Sequence, residues 1–272
     1  MARYPTAPGV ETAARLGATI DYSNANEGYV IVTNAGYPDK KCKVRILKES
    51  HAQNFSLPNE LVPQAKTIPL CFGNGLYEVQ VYRQTTGTFY EQILAVKRLV
   101  NLNSPLAPFL YPNTYAEYTP ASKCVAKAGE VCTGKVIDVE RLATIFRWIV
   151  EHTEYDPAFA DLAREGKVDG WWLPNPDDVL KEGKTICLGY TSLMAAMCRS
   201  QGVPAKLVVG RISSGALHAW NEVWVENTGT VGGIPLKAKS WTRIDVTNLD
   251  GSGERLAAYV QNDANYTMEY CG

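Results

Sequence analysis

Three side chains in the second half of the chain are of the types that thiol chemistry needs: Cys187, His218 and Asp245. A cysteine attacks only as its thiolate, so it requires a base within hydrogen-bond reach, and that base requires a third group to fix its tautomer. Cys187 opens the run CLGYTSLMAAMCRSQG (187–202). At 100° per residue, Tyr190, Leu193, Met194, Met197 and Cys198 fall on one arc, which predicts a largely buried helix with Cys187 in its first turn. Free N–H groups and the positive end of the dipole favour a thiolate there. Gly202 and Pro204 end the helix, and AKLVVG (205–210) reads as a strand. LHAWNEVWVEN (217–227) alternates, placing His218, Trp220, Glu222 and Trp224 on one side of a second strand. Asp245 sits in SWTRIDVT (240–247), a third. A buried structural cysteine is the commoner use of such a position, and Cys, His and Asp occur in this order by chance in many chains. The residue types alone therefore leave both uses open.

The elements that must hold these groups divide the chain near residue 103. Residues 18–102 read as six or seven short strands, among them YVIV (29–32), CKVRIL (42–47), YEVQVY (77–82) and ILAV (93–96), bounded by turn residues. That pattern predicts an all-β sandwich over 1–103. Three prolines and three tyrosines without periodicity in 104–118 predict a semi-rigid connector. From 119 to 272 helical signals precede strands, the order of an α+β domain. Thr119-Pro120 fits an N-cap with Pro at N1, and Gly134 fits the close of that helix. A second helix, about 139–153, carries Val139, Leu142, Ile145, Phe146, Ile149 and Val150 on one face, with Asp138 as its expected N-cap.

Composition narrows the function classes. The chain has 272 residues, with 27 Lys and Arg against 28 Asp and Glu, so no excess of positive charge is available for a phosphate backbone and nucleic acid is not an expected partner. Its 46% apolar residues are those of a globular chain, and no apolar run reaches the length of a membrane span. The first twenty residues show no apolar stretch of a signal peptide. Seven cysteines, an odd number, include no C-x-x-C and no Cys/His cluster, and no D-x-[DN]-x-[DN]-G loop appears, so neither a metal nor a cofactor is expected. Cys42 and Cys71 could pair or remain buried thiols. His51 and His152 lie outside any such motif.

The words around the three reactive residues add specificity. C-x-x-Y-x-x-L-M-A-A-M-C-R-S-Q-G-V-P-A-K-L-V-V-G (187–210), H-A-W-N-E-V (218–223) and W-x-x-I-D-V-T (241–247) resemble the transglutaminase-like superfamily. IFRWIVEHTEYD (145–156) and LPNPDDVLKEGKTIC (173–187) look like that family's approach to its cysteine. The resemblance spans roughly 120–270 and implies a papain-like, transglutaminase-like domain, its nucleophile helix packed on an antiparallel sheet. It is similar to secreted bacterial proteins with a preceding β-domain, which implies an extracellular or cell-surface setting and leaves a cytoplasmic one open. It further implies Cys187 as nucleophile, His218 as base, Asp245 as orienting carboxylate, and Trp171 and Trp172 as candidate oxyanion donors. The implied chemistry is thiol-dependent acyl transfer on peptide or glutamine carboxamides, by a transglutaminase, cysteine peptidase or amidase. A protein or peptide, cell-wall peptide included, is the implied partner. The alternative is a non-enzymatic surface or binding protein that retains the fold. Two positions depart from the family pattern: Thr185 stands where Gly is common, and Gly189 where an acidic or small polar residue is frequent.

Overall fold

The computed structural model describes residues 2–34, 40–57, 65–169, 172–249 and 254–272. The chain forms two compact units, Pro5–Pro108 and Phe109–Gly272, the latter joined by the residues up to Tyr4.

The first unit is a sandwich of two four-stranded antiparallel sheets. Its strands are β1 (Thr12–Arg15), β2 (Ala18–Asp21), β3 (Tyr29–Asn34), β4 (Cys42–Lys48), β5 (His51–Leu57), β6 (Ala65–Pro69), β7 (Gly75–Gln84) and β8 (Tyr90–Val100). They are ordered β1-β2-β3-β6 and β5-β4-β7-β8. Alternation explains the layering: Cys42, Val44 and Ile46 of β4 and Tyr77, Val79 and Val81 of β7 are buried, as are Ile20, Val30, Val32 and Ile68 of the other sheet. Seven of these strands, β2 to β8, lie within 18–102, where six or seven are expected. β1 precedes residue 18, and its exposed Thr-Ala-Ala-Arg carries no apolar alternation to reveal it. Cys42 and Cys71 are free thiols.

The second unit is α+β. In chain order it contains α1 (Lys123–Val131), α2 (Asp138–His152), β9 (Glu154–Tyr155), α3 (Pro157–Arg164), α4 (Pro176–Glu182), β10 (Lys184–Thr185) and α5 (Cys187–Ser200). It continues with β11 (Ala205–Ile212), β12 (Leu217–Val225), β13 (Gly229–Val231), β14 (Ile234–Leu236), β15 (Ser240–Ile244), α6 (Val246–Leu249), α7 (Glu254–Gln261) and β16 (Tyr266–Cys271). The antiparallel sheet β15-β12-β11-β16 packs on α5, which α1, α2 and α4 cover. The expected arc of α5 is fully buried, but so are Thr191, Ser192, Ala195, Ala196 and Arg199 on its other sides. A helix buried all round is the spine of a core rather than an amphipathic surface element.

Two helix starts differ from expectation, both for tertiary reasons. α1 begins at Lys123 rather than after Pro120, because the cap comes from another helix: the Asp177 carboxylate of α4 accepts from the Lys123 N–H at 2.9 Å and the Cys124 N–H at 2.8 Å. Asp138 is the first residue of α2 rather than its cap. Its carboxylate accepts from the Val139 N–H at 2.8 Å, from Asn227 Nδ2 at 3.0 Å and from the Glu226 N–H, tying α2 to the end of β12.

Burial alone would push the Asp177 carboxyl up, but the two backbone N–H groups hold it below the usual value. A depressed folded value contributes stability that is present above the unfolded value and lost as pH falls through the folded one. Asp177→Ala should therefore lower stability by about 1–2 kcal/mol near neutral pH. In urea titrations that gap should close on acidification below about pH 4. A gap that persists unchanged in acid would contradict the trans cap.

Candidate active site

Cys187 is the first residue of α5, preceded by Ile186 in extended backbone. The Gly189 and Tyr190 N–H groups close the first turn on the Ile186 carbonyl, at 2.9 and 3.1 Å. The first N–H groups of a helix have no intrahelical acceptor, so the turn that bears the thiol presents donors around it. Parallel pairing of β9 with β10 fixes the approach, Thr185 opposite Tyr155. Unlike the rest of α5 from Gly189 onward, Cys187 is only partly buried.

His218 lies on β12 opposite Gly210 of β11. Gly210 is required there, since a Cβ would lie 2.0 Å from the Thr267 carbonyl oxygen of β16 and 2.9 Å from the Trp220 ring. Asn221 of the same strand donates from Nδ2 to the Thr191 carbonyl of α5 at 3.1 Å and to the Lys206 carbonyl of β11 at 3.0 Å. A single buried amide thus fixes β12 against α5, and with it the imidazole against the thiol.

The structure brings all three residues together. His218 Nε2 bonds Asp245 Oδ2 at 2.7 Å, and the Cys187 side chain lies near enough to the imidazole to act on its titration. Burial of the imidazole would lower its pKa, but the bonds to Asp245 and Cys187, and their negative charge, outweigh it and raise His218 to about 10. The imidazole therefore holds its proton through neutral pH and loses it only as pH rises through that value. Asp245 is wholly buried at the end of β15. Two further tyrosines lie within reach of the charge of Cys187. Burial first and the charge of Cys187 second push up the Tyr155 phenol; burial, Glu269 and Cys187 push up Tyr270.

The profile of the Transglutaminase-like superfamily matches residues 125–246. The chain carries a domain of that superfamily. Human Kyphoscoliosis peptidase is 34% identical over 123 residues, 39% of this chain and 18% of that protein. Its Mus musculus counterpart is 36% identical over 100 residues, 33% of this chain and 14% of the relative. The chain thus spans less than a fifth of the length of these curated relatives. Among solved structures, a Cytophaga hutchinsonii protein assigned as a cysteine protease covers 97% of this chain and 74% of its own, at 14% identity and a TM-score of 0.44. Red sea bream transglutaminase covers 89% and 49%, at 10% identity and a TM-score of 0.35.

Within the transglutaminase-like domain the two departures from the family pattern turn out to be one. A Cβ on Gly189 would lie 1.9 Å from Thr185 Oγ1 and 2.8 Å from Thr185 Cβ. Thr185 is buried and fills the space that a side chain at 189 would need. Larger at 185 and smaller at 189 is a volume exchange beneath the thiol, not the loss of a functional group.

Trp172 is half-buried, its ring edge-on to Phe159 at 5.0 Å, in a cleft of about 350 Å³ that Asp156, Asn175, Asp178 and Thr185 also line. Trp171 lies outside the described residues. His51 stacks on Phe72 at 4.9 Å, and His152 on Trp148 at 4.5 Å.

Sequence reasoning missed three residues of the site. Asn248 and Tyr266 both donate to Asp245, and Asn221 anchors β12. Asn248 had a visible signal: Asp245 stands just before α6 and accepts from the Asn248 N–H three residues on, at 3.2 Å, as an N-cap does. Tyr266, from a different strand, had none.

The volume exchange predicts a coupled pair. Gly189→Ala should destabilise the protein by about 1–3 kcal/mol, the usual cost of overpacking. Adding Thr185→Gly should recover most of that loss, because the second change vacates the space the first requires. Thermal unfolding of the two single variants and the double variant measures the coupling. Strict additivity would show that the two residues do not share that volume.

Proposed function

We propose that the transglutaminase-like domain carries out acyl transfer through a Cys187 thioester, with His218 as general base and acid and Asp245 orienting it. The observation that carries this reading is the hydrogen bond from His218 to the buried Asp245, with Cys187 at the start of α5 near enough to the imidazole to raise its pKa. An imidazole that keeps its proton at neutral pH beside a thiol supplies the counter-ion a thiolate nucleophile needs.

The steps follow from the positions of the protons. His218 holds the proton that Cys187 has given up, and the thiolate adds to the carbonyl carbon of a carboxamide. The oxyanion that forms lies at the start of α5, where the Cys187 N–H is the proposed backbone donor. Trp172 is the proposed side-chain donor; its place in the cleft that Thr185 lines, two residues before the thiol, supports that assignment. His218 then protonates the departing amine or ammonia as the C–N bond breaks, leaving a thioester. An incoming water loses its proton to His218, adds to the thioester, and the acid departs with the thiol restored.

Peptide or glutamine carboxamides, on extracellular or cell-wall proteins, are the proposed substrates. The curated relatives are named as peptidases, which favours water over a second amine as the final acceptor. The volume match between Thr185 and Gly189 removes the sequence-level reason for preferring a fold that has lost its chemistry.

Cys187→Ala and His218→Ala should each abolish turnover of a glutamine-containing peptide. Asp245→Asn should retain more, on the order of a 10²–10⁴-fold loss, because the carboxylate orients the base and does not react. Release of ammonia or of a new amino terminus, read with trapping of the Cys187 thioester by mass spectrometry, measures all three. Full turnover by Cys187→Ala would sink the reading.

A further inference from the structure

Three donors converge on one oxygen of Asp245. His218 Nε2 lies at 2.7 Å from Oδ2, Asn248 Nδ2 at 2.7 Å and Tyr266 Oη at 2.8 Å. Asn248 Nδ2 also lies 3.3 Å from Tyr266 Oη, so the two added donors support one another. The second oxygen, Oδ1, accepts the Asn248 N–H. A carboxylate with no exposed surface must replace its lost hydration with fixed donors, and each donor to the charged form favours that form.

Tyr266 is built to stay where it is. Its ring meets Trp220 edge-on at 5.0 Å and Tyr259 at 5.9 Å, and the Arg243 guanidinium lies 4.5 Å over its face. Trp220 in turn stacks beside the His218 ring at 6.4 Å. Burial first, and then the charge and hydrogen bond of Asp245, push the Tyr266 phenol well above its ordinary value, so it remains a donor throughout the working range. Among the described residues, the titratable and charged groups around this centre are Cys187 of α5, His218 of β12, Arg243 of β15, Tyr259 of α7 and Tyr266 of β16.

Resting on the proposed triad, we infer that Tyr266, together with Asn248, is a positioning residue: it holds Asp245 in the rotamer in which Oδ2 faces His218. The strand that closes the sheet therefore does more than pair with β11. It sets how far into the acid range the thiol remains active.

The experiment uses the full chain. Iodoacetamide alkylation of Cys187, read on its own peptide by mass spectrometry, is followed from pH 3.5 to 8 for the wild type, Tyr266→Phe, Asn248→Leu and the double variant. Tyr266→Phe keeps the ring and its packing and removes only the hydroxyl. With fewer donors holding Oδ2 in place, Asp245 supports the His218 imidazolium less well, so the acid limb of Cys187 alkylation should move to higher pH, by roughly half to one unit for each variant and further for the double. The His218 ring proton on Asp245, observed by NMR, should move in the same variants. Should Tyr266→Phe not fold, Asn248→Leu and its ring proton read the same carboxylate. Superimposed acid limbs and an unmoved ring proton would overturn the inference and leave the triad intact. A wild-type Cys187 that reacts only above pH 8 would remove the triad, and this inference with it.

Discussion

Burying α5 on every side is the constraint on which the second unit depends. A helix with no solvent-facing stripe must find a partner for each polar side chain it carries into the core, because an unpaired one costs more than its packing returns. The partners are specific. Tyr190 donates to the Thr153 carbonyl at 2.7 Å, Ser192 to the Tyr115 carbonyl at 2.7 Å, and Arg199 to the carbonyls of Tyr111, Ala205 and Gly272. These bonds join α5 to the segment before α1, to the end of α2 and to the last residue of the chain. They fix its register along its own axis. The first turn, where Cys187 sits, inherits that position and alone reaches toward solvent.

The second requirement is electrical. A wholly buried Asp245 is tolerated because His218, Asn248 and Tyr266 surround it with donors, and the same donors fix the oxygen that faces His218. Packing and chemistry are not separable here. Asn221 pins β12 to α5, Gly210 lets β16 approach β12, and β16 delivers Tyr266 to the carboxylate. A substitution at any of these positions acts on His218 without touching it.

What could be read from residues alone followed periodicity and local words. The arc from Tyr190 to Cys198, the start of a helix at Cys187 and the strand bearing His218 are local properties of the chain, and the structure places them as expected. What could not be read depends on groups far apart in sequence. The cap of α1 comes from Asp177, 53 residues beyond Cys124, and no local signal at Thr119-Pro120 could report it. The bond from Tyr266 to Asp245 crosses between strands that are not sheet neighbours. The exchange of volume between Thr185 and Gly189 looked like two departures because distance in space, not spacing in sequence, makes them one.

One thiol of seven is held beside a protonated imidazole. An unperturbed thiol titrates near 8.5, so at pH 6 well under one in a hundred is thiolate. Burial raises Cys124 and Cys198 far above the ordinary thiol range and raises Cys42 and Cys132 less steeply. Limiting iodoacetamide at pH 6 with peptide mapping tests the claim most directly. Cys187 should be labelled first and nearly alone, and His218→Ala should slow that labelling at least tenfold. Labelling spread evenly over several cysteines, or a Cys187 rate indifferent to His218, would contradict it.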